Sequence, residues 1–206
     1  MDLLKEFLEK ELNINDNNIF ERFCEYNELL MEWNAKINLV SRKQTSIENN
    51  IINSIFFLTK CEFEDSFSLV DIGTGGGFPG IPLKILYPKA NILLIDSINK
   101  KITVVKDIIE KMKMENVSAV TGRGEEIGWK DEYKKKYDYV TAKAVAPVKE
   151  LMNFGKGFLK SDGKFVLIKG GDITDELSGL ETRSEIINFD GMEHYGIEDK
   201  KLVMVR

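Results

Sequence analysis

The sequence predicts an α/β fold in which a doubly wound, mostly parallel sheet carries an N-terminal helical cap and a C-terminal β-hairpin. Short apolar runs typical of buried strands alternate with stretches of helical period between residues 67 and 169. A glycine-dense turn at residues 73–80 follows the first of these strands. The next strand ends in Asp96, which lies 21 residues after Gly75. Ligands of such sheets bind beyond the carboxyl ends of the strands, so the turn and the acid mark the expected site.

The first 60 residues predict three helices, because their apolar side chains recur at helical spacing. These helices are expected at residues 3–12, 17–33 and 46–60. Strands follow at 67–71, 91–96, 117–121, 137–141 and 164–169, with helices at 78–86, 100–114 and 148–159. Residues 184–190 and 201–206 predict a hairpin at the far edge of the sheet. We expect residues 1–62 to form the cap and residues 63–206 the ligand-binding domain of one compact unit.

Composition limits the classes of protein to which this chain can belong. A chain of 206 residues, 43% of them apolar, can bury one sizeable core, but it has no room for a second domain of dehydrogenase size. No basic segment followed by an apolar stretch opens the chain, and no apolar run approaches the roughly 20 residues that span a bilayer. We therefore expect a cytoplasmic protein without membrane contact. Cys24 and Cys61 are isolated, so neither a disulfide framework nor a bound metal is expected.

Positive charge is concentrated in the middle of the chain, although the net charge is −5. Residues 71–170 carry 18 Lys and Arg against 12 Asp and Glu, whereas both flanking segments are acidic. This distribution predicts a surface that faces phosphate groups, with ordinary solvated helix faces as the alternative. The candidate contacts include Lys100, Lys101 and Arg123.

The glycine turn admits two cofactor interpretations. Gly75 to Gly80 satisfies the G-x-G-x-x-G pattern of dinucleotide sites, so the pattern alone does not exclude NAD. However, Asp71 lies two residues before Gly73, where a pyrophosphate would meet an uncompensated negative charge. S-adenosylmethionine carries an ammonium and a sulfonium and tolerates that carboxylate. We expect Asp71 to face this cofactor, and Gly73, Gly75 and Gly77 to admit it because a Cβ there would obstruct it.

The ends of the next two strands supply further candidates for cofactor binding. Asp96 is positioned to accept hydrogen bonds from ribose hydroxyls, with a surface acid that caps the following helix as the alternative. Ser97 and Ile98 are expected to flank the ribose and the adenine. Backbone groups at Gly124 and Glu125 are expected to read the adenine edge, a task that needs only amide donors and acceptors.

Two side chains have evenly balanced interpretations. Phe78 either packs against the cofactor or belongs to the core, because it is the first apolar residue of its predicted helix. Lys143 either closes its strand with the ammonium in water or contacts the substrate. Its catalytic role, if present, is one of positioning.

Five segments carry a family resemblance, namely Trp33–Leu39, Asp71–Leu83, Asp96–Lys101, Gly122–Glu126 and Leu167–Gly170. Together they resemble the glucose-inhibited division protein B family, also called RsmG, the bacterial small-subunit ribosomal RNA guanine-N7 methyltransferases. The resemblance covers about residues 20–206. It implies a class I, Rossmann-like S-adenosylmethionine-dependent methyltransferase that acts on 16S ribosomal RNA or the small ribosomal subunit.

The resemblance also implies roles for individual residues. It places Gly73, Phe78, Gly124 and Glu125 against S-adenosylmethionine, with Asp96 and Ser97 on the ribose side. The position of Lys143 is usually an arginine next to the methyl donor. The residues expected to contact RNA are Asn34, Lys36 and Asn38 of the tryptophan segment, together with Lys100, Lys101 and Arg123.

The chain departs from the family pattern at three places. A His-Ile-Leu-Asp-Ser segment reads Asn50-Ile51-Ile52-Asn53-Ser54 here, which removes an imidazole and a carboxylate. The second departure is Lys143, where a planar guanidinium fork has become a point charge. An expected Arg-His before the last strand reads Lys200-Lys201. The cofactor pocket is left intact, whereas tight positioning of the substrate is put in question.

The reaction implied by the resemblance needs few catalytic groups from the protein. Guanine N7 offers an in-plane lone pair and no proton, so in-line methyl transfer needs alignment rather than a general base. Lys143 is then expected to hold a phosphate or the cofactor carboxylate. Two other functions stay open, a nicotinamide-dependent oxidoreductase and a non-catalytic RNA-binding assembly factor that retains the fold. We expect the protein to act as a monomer.

Overall fold

The computed structural model describes residues 1–41, 43–180 and 182–206, and a seven-stranded sheet organises them. The strands are β1 (Ser68–Ile72), β2 (Asn91–Asp96), β3 (Val117–Thr121), β4 (Tyr137–Lys143), β5 (Leu159–Gly170), β6 (Ser184–Asn188) and β7 (Lys200–Val205). Their order is β3-β2-β1-β4-β5-β7-β6. β1 to β5 pair in parallel, whereas β7 runs antiparallel to both β5 and β6. The predicted doubly wound sheet with an antiparallel pair at its far edge is confirmed.

Helices cover both faces of the sheet. They are α1 (Asp2–Lys10), α2 (Asn17–Asn34), α3 (Glu48–Ile55), α4 (Gly80–Leu86), α5 (Asn99–Lys111), α6 (Gly124–Ile127), α7 (Val148–Gly155) and α8 (Thr174–Leu177). Short 3₁₀ turns follow at Phe56–Thr59 and Glu193–Tyr195. Along the described ranges, no helix has both the length and the apolar character needed to cross a bilayer.

Several predicted boundaries were wrong for identifiable reasons. The helix expected at 78–86 begins only at Gly80, because Gly77 and Phe78 donate backbone hydrogen bonds of 2.8 Å to Thr74 within the preceding turn. The helix expected at 148–159 ends at Gly155, and β5 begins at Leu159 rather than at residue 164. β4 explains this extension, since it pairs with the early part of β5 across a register shift. The helix expected at 46–60 is α3 followed by a 3₁₀ turn.

The hydrophobic core has two parts, one on each face of the sheet. On one face the cap helices share a continuous cluster with α4, α5 and alternate strand residues, including Leu4, Phe7, Phe23, Leu30, Leu69, Ile81, Leu94 and Ile102. On the other face α7 covers the remaining strand residues, including Val70, Ile72, Leu93, Val148, Leu151 and Phe158. The cap is therefore packed on the sheet as one of its covering layers. The division at residues 62 and 63 stays a prediction.

Directional hydrogen bonds fix the long cap helix α2 on the sheet layer. The indole Nε1 of Trp33 donates to Oδ2 of Asp107 on α5 at 2.6 Å, and the Arg22 guanidinium donates to the Met112 carbonyl at 3.1 Å. The Trp33 hydrogen bond, followed by that of Lys111, lowers the pKa of Asp107. Because Arg22 and Trp33 lie towards opposite ends of α2, the two contacts restrain α2 against sliding along α5.

We expect Trp33→Phe to lower the free energy of unfolding by about 1–3 kcal/mol, the usual effect of losing a hydrogen bond to a charged group. Asp107 keeps Lys111 at 2.9 Å in the variant, so no unpaired charge is left behind. Urea unfolding measures the change. Trp129→Phe is the matched control, because Trp129 is 46% exposed and a surface change of this kind costs less than about 0.5 kcal/mol. Equal destabilisation by both variants would contradict the assignment.

Candidate active site

Two adjoining cavities lie at the carboxyl ends of the parallel strands, where the strand order reverses between β1 and β4. The smaller, here the turn groove, has a volume of about 380 Å³. It is lined by Leu39, Val40, Ser41, Gln44, Asn50, Gly73, Thr74, Gly75, Gly76, Phe78 and Lys143. The larger, here the strand-end groove, has about 610 Å³ and includes Asn49, Asn53, Ala144, Gly170, Glu198 and Lys200 in its wall. Among the described residues, the two walls share Gln44, Asn50 and Lys143.

Asp71 holds the glycine turn closed. Its side chain is 0% exposed at the end of β1, and Oδ2 accepts hydrogen bonds from the Thr74 hydroxyl at 2.6 Å and the Gly80 N–H at 3.0 Å. A Cβ on Gly80 would collide with Leu94 and with this carboxylate. Oδ2 thus joins the two ends of the turn, whereas Oδ1 is buried without a hydrogen-bond partner among the described residues. The predicted contact between Asp71 and the cofactor stays a prediction.

The three glycines predicted to admit a ligand differ in their surroundings. A Cβ on Gly73 would lie 2.5 Å from Val145, and one on Gly77 would run into Ile81, so packing within the protein requires both. Gly77 is buried, and its predicted contact with the cofactor stays a prediction. Gly75 has a φ of +58°, and a Cβ there would find only the Gly73 carbonyl, at 4.0 Å. Gly75 is therefore the position of the three at which the backbone faces open space.

Asp96 anchors the turn from the neighbouring strand. Its Oδ2 accepts from the Gly75 N–H at 3.0 Å and its Oδ1 from the Ile98 N–H at 2.9 Å. The Lys101 ammonium lies 3.5 Å from Oδ2. Each carboxylate oxygen keeps further lone-pair capacity, since an ionised carboxylate accepts about four hydrogen bonds. Asp96 thus links β1 to β2 and is buried rather than on the surface, and its predicted contact with ribose stays a prediction.

The predicted adenine side lies at the tips of β2 and β3. Ser97 is exposed, and Ile98, a large aliphatic side chain, is 48% exposed. Gly124 begins α6 and is buried against Phe154, whereas Glu125 is half-buried, 3.7 Å from the Arg123 guanidinium. These residues stay candidates for cofactor binding.

Lys143 extends from the end of β4 over the ring of Phe78. Its ammonium lies 4.7 Å from the ring centroid, a distance typical of a cation–π contact. Burial lowers the pKa of Lys143 to about 8, while the Asp71 charge opposes that shift. Burial also raises the pKa of Asp71 to about 7, against the hydrogen bonds from Thr74 and Gly80. Phe78 is only 7% exposed and packs on Tyr26, so it belongs to the core and to the groove wall at once.

Of the residues predicted to contact RNA, Asn34 is buried and the others are at least partly exposed. Asn34 is 7% exposed, and its Oδ1 accepts from the backbone N–H groups of Leu39 at 2.8 Å and Val40 at 3.0 Å. Its side chain therefore shapes the wall of the turn groove, and its predicted contact with RNA stays a prediction. Lys36 is exposed, pairs with Glu32 at 3.1 Å and lies 5.1 Å over the Trp33 ring.

The remaining predicted RNA contacts are accessible. Asn38, Lys100 and Arg123 are exposed, and Lys101 is half-buried against Asp96. Their roles stay predictions, as does that of Lys36.

Sequence reasoning missed the contacts made by the cap. The buried Tyr26 hydroxyl donates to the Gly76 carbonyl at 2.9 Å, which ties α2 to the glycine turn. Gln44 and Asn50 line both grooves, and the amide oxygen of each is buried without a hydrogen-bond partner in the described part of the chain. Nothing in the pattern around Tyr26 or Gln44 marked these residues. Asn50 was noticed only because it departs from a family motif.

The model of the family described as rRNA small subunit methyltransferase G matches residues 19–202 of this chain. The chain therefore belongs to this family. Among its relatives, ribosomal RNA small subunit methyltransferase G of Desulforamulus reducens is 38% identical over 183 residues, covering 87% of this chain and 75% of that protein. The Lachnoclostridium phytofermentans protein of the same name is 37% identical over 169 residues, covering 81% of this chain and 70% of that protein.

Membership of the rRNA small subunit methyltransferase G family confirms the predicted family and the methyltransferase class, and it displaces the nicotinamide interpretation. A solved structure shows the same fold at low identity. A SAM-dependent methyltransferase from Aquifex aeolicus matches with a TM-score of 0.55 and 14% identity, covering 79% of this chain and 93% of that one. The predicted class I methyltransferase fold is thereby confirmed.

Asp71→Asn is expected to change how stability depends on pH. The pKa of Asp71 is about 7 in the folded protein and ordinarily 3.8, so the folded state holds the proton more tightly. This contribution to the free energy of unfolding is present below pH 4 and is lost as the pH rises to about 7. In the wild type the free energy of unfolding should fall by on the order of 1–4 kcal/mol over this pH range for this reason, and in the asparagine variant it should not. Urea unfolding of both proteins at several pH values gives the difference.

Asp138→Asn is the control, because the pKa of Asp138 is shifted in the opposite direction to that of Asp71. Hydrogen bonds from Lys160 and Ser68 outweigh partial burial and lower the pKa of Asp138, so its contribution is lost only as the pH falls below about 4. The Asp138 variant should differ from wild type by a constant amount between pH 4 and 7. A constant difference for Asp71→Asn as well would rule out the raised pKa.

Proposed function

We propose that this protein transfers a methyl group from S-adenosylmethionine to N7 of a guanine in 16S ribosomal RNA by in-line displacement, without a general base. Membership of the rRNA small subunit methyltransferase G family supplies the reaction class and the methyl donor. The observation that carries the chemical detail is the meeting of two grooves beside Lys143, at the switch point of the sheet. One groove suits the donor and the other suits a base.

The turn groove and the adjoining strand tips fit the donor. S-adenosylmethionine supplies a methyl group activated by a sulfonium. Gly75 leaves room beside the turn, and Asp96 keeps acceptor capacity for ribose hydroxyls. The exposed aliphatic surface of Ile98 matches the flat face of a purine. Asp71 contributes indirectly, since it fixes the backbone that these groups share.

The chain's own residues support transfer by positioning. Guanine N7 needs no deprotonation, and the single histidine, His194, is exposed and lies 3.3 Å from Glu6 on the cap helix α1. Lys143 is half-buried where the grooves meet and keeps its charge below about pH 8. We assign it to the donor carboxylate or to a phosphate of the RNA, because a product that gains positive charge is not stabilised by an ammonium.

Lys143→Ala is expected to raise the Michaelis constant for the donor or for RNA by roughly tenfold, the effect of losing one charge-assisted hydrogen bond. In the wild type the same constant should rise between pH 7 and 9, because Lys143 loses its charge near pH 8. The alanine variant should show no such rise. Steady-state transfer of labelled methyl groups measures both, with the exposed Lys149→Ala as control. Identical kinetics for wild type and Lys143→Ala would exclude this role.

The reaction itself is tested by mass spectrometry of 16S ribosomal RNA from cells with and without the protein. A methyl group on guanine N7 that appears only with the protein is the expected result. Purified protein should also transfer labelled methyl groups to small-subunit RNA. Binding of S-adenosylmethionine without any transfer would instead favour an assembly factor that retains the fold. We place the reaction in the cytoplasm, on 16S RNA or the small subunit, with the protein acting as a monomer.

A further inference from the structure

We infer that Gln44 and Asn50 select the target base by accepting hydrogen bonds from the N1–H and the 2-amino group of guanine. This inference rests on the proposed function and assigns the specificity of the same site. It concerns two cap residues that neither the glycine turn nor the strand tips would identify.

The position of these two amides is the first argument. Gln44 and Asn50 line both the turn groove and the strand-end groove, a property they share with Lys143. A methyl group passes from donor to acceptor only where the two molecules meet, with reacting atoms about 3–3.5 Å apart. Side chains at the junction of the grooves are therefore the ones within reach of a base whose N7 faces the donor.

The hydrogen bonding of these amides is the second argument. Other asparagine side chains of the cap are committed to structure, since Asn34 Oδ1 accepts from Leu39 and Val40, and Asn27 Oδ1 accepts from Ser46 and Ile47. In contrast, the amide oxygens of Gln44 and Asn50 have no partner among the residues that the structure describes. A buried amide oxygen without a donor costs free energy, and a bound molecule that supplies a donor recovers it.

Guanine supplies the donors that these oxygens lack. When N7 points at the methyl donor, the Watson–Crick edge of the base presents N1–H and the 2-amino group. Adenine presents an unprotonated N1 and no 2-amino group at the same edge, so it would face the amide oxygens with a lone pair. Reading a base on this edge requires that it be unpaired or flipped out, as enzymes that modify bases achieve. The pair of acceptors therefore favours guanine and rejects adenine.

The test compares single-turnover methyl transfer to 16S ribosomal RNA that carries guanosine or inosine at the methylated position. Inosine keeps N7 and N1–H but lacks the 2-amino group. The wild-type protein should methylate the inosine RNA on the order of tenfold more slowly. Asn50→Leu and Gln44→Leu remove the acceptors at similar side-chain volume, and at least one of them should bring this ratio close to one. Both RNAs are measured on one preparation, so the ratio does not depend on the fraction of folded enzyme.

Two further variants complete the design. Asn50→Asp keeps an acceptor of the same shape and should keep the discrimination. Asn91→Leu makes the same chemical change at an exposed position. Asn91 is the first residue of β2, so it lies at the end of the strands opposite to the site, and the variant should leave the ratio unchanged.

The possible failures are distinguishable. Equal rates on guanosine and inosine RNA by the wild type would overturn the inference while leaving the proposed function intact. An undiminished ratio in both leucine variants would do the same. A wild-type protein that methylates neither RNA would overturn the proposed function, and this assignment with it.

Discussion

The buried carboxylate of Asp71 is the contact on which the geometry of the site depends. One oxygen atom accepts hydrogen bonds from Thr74 at the start of the glycine turn and from Gly80 at the start of α4, so both ends of the turn are fixed to β1. Burying a carboxylate is costly, and its pKa near 7 expresses that cost. This free-energy cost fits a turn that must keep one conformation. Asp96 then fixes the middle of the turn to β2 through the Gly75 N–H.

The cap helices and the loop between them form the wall of the site that lies opposite the glycine turn. Tyr26 holds the Gly76 carbonyl, and Asn34 and Asn27 hold the backbone of the loop that joins α2 to α3. That loop and α3 contribute Leu39, Val40, Gln44 and Asn50 to the groove walls. Both the turn and the opposite wall are thus positioned by the cap helix α2. Asn34, at the end of this helix, supports that loop through its Oδ1.

The sequence was sufficient to predict the sheet, its antiparallel edge and the place of the site. Those features depend on local periodicity, on glycine at fixed spacing and on the rule that ligands bind at the carboxyl ends of parallel strands. Contacts between distant segments left no such signal. Tyr26 reaches Gly76 across 50 residues of sequence, and Trp33 reaches Asp107 across 74. Asp71 was predicted to face the cofactor from its place at the end of its strand, and Asn34 to contact RNA from the family resemblance. Both side chains also accept hydrogen bonds from backbone N–H groups, which the sequence did not indicate.

The proposed methyl transfer explains why the chain can carry Asn50 and Asn53 where the family pattern has a histidine and an aspartate. The proposed reaction moves no proton and so needs neither an imidazole nor a carboxylate. In that reaction, Asn50 and Asn53 in place of these groups remove no step. Asn53 donates to the Asn49 carbonyl within its own helix, which leaves Asn50 as the amide of this pair that faces both grooves. An amide has no ionisation near neutral pH, so its hydrogen bonding is constant where the pKa values of Asp71 and Lys143 fall near 7 and 8. In the mode of recognition inferred above, an uncharged acceptor beside two such titrating groups keeps recognition of the base independent of their protonation.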